Sequence, residues 1–192
     1  MSKTLLIIGA GREQITAYQQ AKKMGHFVIG TDRNPKAPAF EFADKILLCS
    51  TRDPNHTLET VLEYSKERKI EGVMTIANDV PYTVALVASS LNLPGISLQS
   101  ARYASNKILM KECFIKNKIT TPKSEIVGNK DDFLKLVSNK KFPLILKPSD
   151  GRGSRGVLYL DDSTDLDWTW DFVFNTSSNK ELMLEEYVIG DQ

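Results

Sequence analysis

A lysine at the end of an apolar run precedes a segment rich in glycine. Lys147 follows the apolar run 143–146, three glycines lie between positions 151 and 156, and a second apolar run covers 157–160. Glycine lets the backbone turn successive N–H groups towards an anion, and a lysine fixed on a strand adds a positive charge. The pattern predicts a phosphate-binding loop between two strands, although a solvated Gly-rich hairpin has the same composition.

The loop differs from the phosphate-binding loop of P-loop nucleotide hydrolases. No Gly-Lys-Ser or Gly-Lys-Thr follows the glycines, and the next element is predicted to be a strand instead of a helix. A helix N-terminus therefore does not add its dipole to this site. The loop and Lys147 by themselves leave the hairpin and the phosphate site equally open.

The first hundred residues alternate apolar runs with amphipathic helices. Strands are predicted at 4–8, 27–32, 45–49 and 72–77, and helices are predicted to begin near Ile15, at Asp53-Pro54 and at Asn78-Asp79. Such alternation predicts an α/β fold over residues 1–104, a Rossmann-like parallel sheet covered on both faces. The carboxyl edge of such a sheet binds small molecules, and here it carries residues 9–12, Asp32 and the Asn78-Asp79 pair.

The order of predicted strands and helices is different in residues 105–192. Ser105 is predicted to cap a helix that runs to about Asn117, with Leu109, Cys113 and Phe114 on its apolar side. Residues 123–187 then read as β-α-β-β-α-β, a small and mostly antiparallel α+β lobe with both helices on one face. The Gly-rich loop is its central hairpin.

Two lysines of the predicted helix after Ser105 could also reach an anion. Lys107 and Lys111 lie one helical turn apart. A solvated basic helix face would show the same spacing, so the pair by itself does not establish a site.

The turn after the first predicted strand permits a second interpretation. Gly9-Ala10-Gly11 begins a dinucleotide-binding fingerprint, and Asp32 lies where such folds hold an adenosine ribose, but Gln14 replaces the third glycine. A tight βα turn without a cofactor explains these residues as well. An NAD(P)-dependent Rossmann oxidoreductase and a non-catalytic nucleotide-binding module therefore stand as alternative functions.

Composition excludes several classes of protein. Lys and Arg number 25 against 24 Asp and Glu, so the formal charge of +1 does not direct the chain to nucleic acid or to an anionic membrane. No apolar run approaches the roughly 18 residues of a membrane span, and the apolar run 5–9 is too short for the apolar region of a signal peptide, so we expect a buried strand there. The two cysteines and two histidines are isolated, which argues against a zinc site. We expect a cytoplasmic protein with reduced thiols.

Taken in order, the motifs resemble those of the ATP-grasp superfamily. They are Ser105-Asn106-Lys107 with Met110-Lys111, the strand end Lys147-Pro148, Gly153-Ser154-Arg155-Gly156-Val157, and Glu185-Glu186-Tyr187-Val188 with Gly190. Residues 72–79 and 87–95 resemble the large subunit of carbamoyl phosphate synthase and its stand-alone carboxylate-amine ligase relatives. The resemblance covers essentially the whole chain. It implies a pre-ATP-grasp domain followed by an incomplete ATP-grasp domain.

The resemblance also implies which residues bind ATP. Lys107 and Lys147 would hold the phosphates, residues 153–156 would close over the β- and γ-phosphates, and residues 185–188 would meet the adenine mainly through backbone groups. Gln192 falls where many relatives have a ribose-binding glutamate. The implied ATP-binding residues are Lys107, Lys147, Gly153, Ser154, Arg155, Gly156, Glu185, Glu186, Val188 and Gln192.

By the same resemblance, the intact enzyme would be an ATP-dependent ligase. ATP would phosphorylate a carboxylate, and an amine or similar nucleophile would attack the acyl phosphate, with magnesium bridging the phosphates of ATP. The magnesium ligands are expected beyond residue 192, so neither a metal ligand nor a catalytic residue is assigned. These residues would be the N-terminal portion of a longer or split ligase, inactive without its C-terminal half or a homodimer partner.

The edge of the first sheet offers candidates for binding the small carboxylate substrate. They are Gly11, Arg12, Asn78 and Asp79. Arg12 could clamp a carboxylate, although a surface salt bridge would account for it equally well.

Overall fold

The computed structural model describes residues 2–151 and 153–190. The chain divides into two compact units, Met1–Ser105 and Asn106–Gln192. Each unit is built around its own four-stranded sheet. Among the described residues, no helix has the length and apolar character needed to cross a membrane.

The sheet of the first unit is entirely parallel. Its strands are β1 (Thr4–Ile8), β2 (Phe27–Asp32), β3 (Lys45–Leu48) and β4 (Gly72–Met74), in the spatial order β3-β2-β1-β4. In the ladders, Leu5 of β1 opposes Val28 of β2 and Gly72 of β4. The parallel α/β architecture predicted for this part of the chain is confirmed. All four strands therefore end at the same edge of the sheet.

Helices cover both faces of this sheet. They are α1 (Ile15–Lys23), α2 (Pro54–Ser65) and α3 (Pro81–Ser90). A further helix, α4 (Leu98–Ser105), packs against α3 and was not predicted. Leu6 of β1 packs in a cluster with Val61 of α2 and Val87 of α3, whereas Ile7 packs in a second cluster with Tyr18 of α1. Successive strand residues thus enter opposite cores, as expected for a sheet buried on both sides.

One predicted helix cap is confirmed and another is wrong. Asp53 caps α2, because its carboxylate accepts the backbone N–H of His56 (3.0 Å). The cap predicted at Asn78-Asp79 is wrong, since α3 begins later, with Val80 at its N-cap position and no side-chain cap bond. Pro81, whose fixed φ favours the first helical turn, sets this start.

The second unit contains an antiparallel sheet, as predicted. Its strands are β5 (Ser124–Val127), β6 (Leu144–Pro148), β7 (Leu158–Leu160) and β8 (Leu182–Glu186), in the order β5-β8-β6-β7. Its helices are α5 (Lys107–Lys116), α6 (Lys130–Ser138) and α7 (Leu166–Thr176). The β-α-β-β-α-β order of residues 124–186 thus matches the prediction.

The two faces of this sheet have different surroundings. One face carries Leu146 and Leu184, which share a buried core with Phe133 of α6 and with Trp170 and Val173 of α7. Alternate residues of the same strands point to the other face. There, the ladder places Ile145 opposite Glu185 and Lys147 opposite Met183. The polar residues of the predicted site therefore lie on the face opposite the helical core.

Two predictions about α5 are wrong. Asn106, not Ser105, caps the helix, because its side-chain oxygen accepts the N–H groups of Ile108 (2.9 Å) and Leu109 (3.1 Å). The side of the helix that is buried carries Ile108 and Lys111, whereas Leu109 is 37% exposed. A buried lysine breaks the apolar periodicity, so the hydrophobic pattern alone pointed to the wrong face.

Candidate functional site

Lys147 lies near the end of β6 and is paired with a buried carboxylate. Its ammonium contacts Oε2 of Glu185 on β8. The two residues are diagonal neighbours across the ladder, since Glu185 opposes Ile145, and long side chains span that separation. The Glu185 side chain is only 7% exposed and that of Lys147 is 20% exposed. The sheet thus fixes the position of the lysine that precedes the Gly-rich loop.

Glu185 is also paired with Lys111 of α5. The Lys111 ammonium contacts Oε1 of Glu185 and donates to the hydroxyl of Thr121 (2.9 Å) and the carbonyl of Pro122 (2.7 Å). All three donors of the ammonium are therefore used, which permits its burial. The solvated basic face considered for Lys111 is wrong. Lys111 instead holds the carboxylate that holds Lys147.

Lys107 connects the start of α5 with the Gly-rich loop. Its backbone N–H donates to the carbonyl of Ser149 (2.9 Å), and its ammonium contacts the carbonyl of Gly151. Ser149 is fully buried, and its own N–H donates to the carbonyl of Glu181 (2.9 Å). These bonds bring Lys107 to the same strand end as Lys147.

The Gly-rich loop uses backbone conformations that favour glycine. Gly153, Ser154 and Gly156 have φ angles of 56°, 57° and 71°. A Cβ at Gly156 would overlap Oγ1 of Thr176 and lie 3.0 Å from Cγ of Pro148, so packing as well as conformation requires glycine there. The N–H groups of Gly153, Ser154 and Gly156 donate to no other residue that the structure describes. Such N–H groups can donate to an anion.

A polar cluster anchors the beginning of this loop. The carboxylate of Asp150 accepts the hydroxyl of Ser177 (3.2 Å) and the N–H groups of Ser178 (3.0 Å) and Asn179 (3.3 Å). The segment after α7 therefore fixes the first residues of the loop, whereas Arg155, further along it, is exposed.

The remaining predicted ATP-binding residues lie at the end of β8. Glu186 uses its side chain to accept the N–H of Lys123 (2.9 Å), away from the lysine pair. Val188 follows the strand and is 60% exposed. Gln192 lies outside the described residues. The structure therefore brings Lys107, Lys147, Glu185 and the loop to one strand end, but not the Glu186 side chain.

The first unit has an open cavity of about 500 Å³ at the carboxyl edge of its parallel sheet. Three of the four predicted substrate-binding residues, Gly11, Arg12 and Asn78, line it, but Asp79 does not. Arg33 and Arg52, which the sequence analysis did not select, line the same cavity. Their positions in loops after two strands of a parallel sheet were a signal that could have identified them.

The turn after β1 is closed by side chains of the first unit itself. The Ala10 N–H donates to Oδ2 of Asp32 (3.1 Å), whose Oδ1 accepts the N–H of Asn34 (2.9 Å). Gln14, in the place of the third fingerprint glycine, donates to the carbonyl of Ile76 (2.7 Å). The carboxylate and the turn donor that a dinucleotide would contact are therefore already paired.

Tyr18 also takes part in closing the turn after β1. Its hydroxyl donates to the carbonyl of Gly9 (2.9 Å), and a Cβ on Gly30 would lie 2.6 Å from the same hydroxyl. Burial, and secondarily the charge of Asp32, raises the pKa of Tyr18, so the phenol stays neutral and can donate. The glycine at position 30 of β2 provides the space that this buried phenol needs.

Within residues 2–151 and 153–190, no three or more His, Cys, Asp or Glu side chains form a group that could hold a metal ion. Cys49 and Cys113 are both free thiols.

Comparisons with known proteins show what the chain is similar to. Residues 5–91 match the family model for the PylC-like N-terminal domain. A formate-dependent phosphoribosylglycinamide formyltransferase of Prochlorococcus marinus is 24% identical over 198 residues, covering 98% of this chain and 48% of that protein. The carbamoyl phosphate synthase large chain of Campylobacter jejuni is 26% identical over 211 residues, covering 98% of this chain and 19% of that protein.

Solved structures show the same fold. Phosphoribosylglycinamide synthetase from Anaerococcus prevotii has a TM-score of 0.67 and 26% identity, covering 99% of this chain and 47% of that one. An ADP complex of N5-carboxyaminoimidazole synthetase from Staphylococcus aureus has a TM-score of 0.75 and 20% identity, covering 98% and 48%. The chain spans about half the length of the formyltransferase. The resemblance to the ATP-grasp superfamily is thereby confirmed, and it extends over the N-terminal part of these ligases.

Proposed function

We propose that the second unit binds the phosphates of ATP on behalf of an ATP-dependent carboxylate-amine ligase. In this reaction the γ-phosphate of ATP is transferred to a carboxylate oxygen with release of ADP. The acyl phosphate is then attacked by an amine, which displaces inorganic phosphate. The first unit would bind the small-molecule substrate.

The observation that carries this proposal is the meeting of two lysines and a Gly-rich loop at one strand end. Lys107 contacts the loop from α5, and Lys147 lies on β6, the strand that leads into the loop. Fixed ammonium groups neutralise phosphate charge, and backbone N–H groups that donate to no other described residue can stabilise it by hydrogen bonding. The relatives named above provide the second support, because one is a formate-dependent formyltransferase and another is a synthetase whose structure holds ADP.

Glu185 sets the position of Lys147 before nucleotide binds. Its carboxylate accepts from both Lys111 and Lys147, which balances part of the positive charge before nucleotide binds. Phosphate oxygens compete with this carboxylate for Lys147 but not for Lys111, whose other donors are held by Thr121 and Pro122. We expect Lys147 to turn towards the phosphates while Lys111 keeps Glu185 in place.

The backbone of residues 185–188 would meet the adenine ring, and residues 153–156 would cover the phosphates. Magnesium is part of the proposed chemistry, but the described residues do not include a group of carboxylates that fits it. We therefore assign no metal ligand and derive no step through the metal. Cytoplasmic location and a homodimer partner remain predictions.

The relatives favour one type of ligase over another. The formyltransferase matches along 98% of this chain with about half of its own length, whereas the carbamoyl phosphate synthase chain is covered over only 19% of its length. The formate-dependent formyltransferase is therefore a better parallel for this chain than the carbamoyl phosphate synthase chain.

ATP binding by the 192-residue chain tests the nucleotide site. Titration calorimetry should give a Kd for ATP that rises at least about 10-fold in Lys147→Ala, the usual cost of losing a charged hydrogen bond. Lys135→Ala removes an exposed lysine of α6 and should bind like wild type. Circular dichroism checks that each variant is folded. An unchanged ATP affinity in Lys147→Ala would refute the phosphate role.

Two further measurements separate the alternatives. Acyl phosphates are trapped by hydroxylamine, so ATP-dependent hydroxamate formation by the intact enzyme, with one of a panel of carboxylates, supports the ligase over a non-catalytic nucleotide-binding module. NAD(P) is expected not to raise the thermal stability of the chain, because Asp32 and the Ala10 N–H are already paired. Strong protection by NAD(P) without protection by ATP would favour the oxidoreductase.

A further inference from the structure

The Gly-rich loop of the second unit begins next to a carboxylate. Asp150 directly precedes Gly151, the first of the three glycines of the loop. A negative charge beside a phosphate site opposes phosphate binding, unless the carboxylate is engaged elsewhere. The hydrogen bonds of Asp150 show where it is engaged.

Both carboxylate oxygens of Asp150 accept hydrogen bonds from the connection between α7 and β8. Oδ1 accepts the hydroxyl of Ser177 (3.2 Å). Oδ2 accepts the backbone N–H groups of Ser178 (3.0 Å) and Asn179 (3.3 Å). The carboxylate thus ties the first end of the Gly-rich loop to the segment that follows α7.

Asn179 fixes the residue before Asp150 through its side chain. The amide nitrogen donates to the Ser149 hydroxyl (2.8 Å) and to Oε2 of Glu181 (2.9 Å). The amide oxygen accepts the Glu181 N–H (3.1 Å). Because Ser149 directly follows β6 and Glu181 directly precedes β8, one side chain joins the ends of two neighbouring strands.

The far end of the loop rests on the same part of the chain. Gly156 is buried, and a Cβ there would meet Oγ1 of Thr176 as well as Cγ of Pro148. A Cβ at Gly151 would lie 2.9 Å from Cγ of the same proline. The two ends of the loop therefore meet at Pro148, and they contact residues 176–179, which we call the loop clamp.

Between its ends, the loop has little support from the rest of the chain. The described residues 153–155 form no hydrogen bond with a described residue outside 151–157. Lys107 contacts the carbonyl of Gly151, close to the first end. The positions of the N–H groups that would donate to phosphate therefore depend on how the two ends are held.

We infer that Asp150 and Asn179 are positioning residues for ATP, which do not touch the phosphates but hold the Gly-rich loop where its N–H groups can donate to them. A loop that is already held in place loses less conformational entropy when a ligand binds, so it binds more tightly. The loop clamp leads into β8, whose Glu185 contacts Lys147. Residues 176–185 thus place both the loop and a phosphate-binding lysine. This inference rests on the proposed function, in which the loop covers the phosphates of ATP.

Two substitutions of Asp150 carry the same change of charge and separate charge from positioning. Asp150→Ala removes the hydrogen bonds to the loop clamp. Asp150→Asn retains an acceptor for the N–H groups of Ser178 and Asn179, and its amide can donate to the Ser177 hydroxyl. If only the charge mattered, both variants would bind ATP at least as tightly as wild type, because each removes a negative charge near the phosphates.

Titration calorimetry of the 192-residue chain distinguishes these cases. The Kd for ATP should be at least about 5-fold higher in Asp150→Ala than in wild type, and within about 2-fold of wild type in Asp150→Asn. A Kd of Asp150→Ala at or below the wild-type value would overturn the inference.

Asn179→Ala tests the loop clamp without any change of charge. The substitution removes the bonds to Ser149 and Glu181, so the Kd for ATP should again rise at least about 5-fold. Asn175→Ala, at an exposed position of α7, is the matched control and should bind ATP like wild type.

Trypsin cleavage of the folded chain distinguishes a displaced loop from a weakened fold. Arg155 is exposed within the loop, and Lys116 is exposed at the end of α5. Cleavage after Arg155 should become at least about 3-fold faster in Asp150→Ala and Asn179→Ala, relative to cleavage after Lys116. An equal increase at both sites would give the two residues a merely structural role and contradict the inference.

The same measurements keep this inference separate from the nucleotide site. Lys147→Ala should weaken ATP binding without faster cleavage after Arg155, because Lys147 is proposed to contact phosphate and not to hold the loop. If the wild-type chain does not bind ATP, the proposed nucleotide site fails together with this inference. If Asp150→Ala and Asn179→Ala bind ATP like wild type, only the present inference is contradicted.

Discussion

The two units each place a glycine-containing turn after a buried strand, but they treat the backbone of that turn differently. In the first unit, the turn after β1 is closed by Asp32, Gln14 and Tyr18, which bond to its N–H and carbonyl groups or to the neighbouring loop. In the second unit, the hydrogen bonds to the loop after β6 that the described residues show are at its base, through Asp150 and Lys107.

This difference explains why similar glycine patterns support different chemistry. A turn whose donors are already paired must lose those bonds before it can bind a ligand, whereas a loop with unused donors loses none. The first unit therefore offers its arginine side chains to a ligand, and the second offers its backbone and lysines. Glycine content alone did not distinguish these cases.

The largest expected effect concerns Lys111, which holds the Glu185 carboxylate near the Gly-rich loop of the second unit. Lys111→Met should lower the free energy of unfolding by about 3 kcal/mol or more, because removing one partner leaves the buried Glu185 with a single cation. Urea denaturation measures this change. Lys116→Met, an exposed position on the same helix, should change stability by less than about 0.5 kcal/mol. Equal effects of the two substitutions would show that the buried pair does not support the loop.

A pair of glycine substitutions tests the loop itself. Gly156→Ala should cost about 2–4 kcal/mol, because a positive φ is combined with overlap against Thr176 and Pro148. Gly153→Ala has the same conformational problem but meets nothing within 4 Å, so it should cost only about 1–2 kcal/mol. The difference between the two unfolding free energies isolates the packing contribution. If Gly153→Ala were the more destabilising of the two, the loop would not pack as described.

The corresponding substitution in the first unit concerns the closure of its turn. Asp32→Asn leaves one of the two backbone N–H groups facing an amide donor, so stability should fall by about 2 kcal/mol. Asp79→Asn is the control, because Asp79 is exposed and bonds to no other described residue. Thermal unfolding of both variants provides the measurement. A wild-type melting temperature in Asp32→Asn would mean that the turn closes without this carboxylate.

Sequence periodicity was sufficient for the elements that bury apolar residues and failed where polar residues are buried. The four strands of each sheet were predicted because their apolar runs are continuous or alternate. The face of α5 was not, because Lys111 is buried by bonds to residues distant in sequence, including Glu185. Arg33 and Arg52 were missed for a related reason, since only the order of strands in the sheet brings their loops to one cavity.

Motif resemblance and physical derivation contributed differently to the site. The resemblance selected Lys107 and Lys147, which local propensity could not separate from solvated lysines. It gave no role to the side chain of Glu185, because the ion pairs depend on a diagonal position across an antiparallel ladder. Register of this kind follows from the folded sheet and not from the spacing of residues along the chain.

The smallest expected effect concerns Asp44, an exposed carboxylate of the first unit, in contrast to the buried Glu185 of the second unit. Burial tends to raise the pKa of Asp44, but hydrogen bonds from the Lys22 ammonium and the Val28 N–H outweigh it and lower that pKa. A carboxyl whose pKa is lower in the folded state contributes stability above its unfolded pKa of about 4 and loses that contribution as the pH falls through the folded value. Asp44→Asn should therefore cost less than about 1 kcal/mol at pH 7, as for exposed pairs, and the difference from wild type should shrink below about pH 4. Urea denaturation of both proteins between neutral and acidic pH measures this difference. If the difference in unfolding free energy stays constant with pH, the charge of Asp44 contributes nothing to stability and only its hydrogen-bond geometry matters.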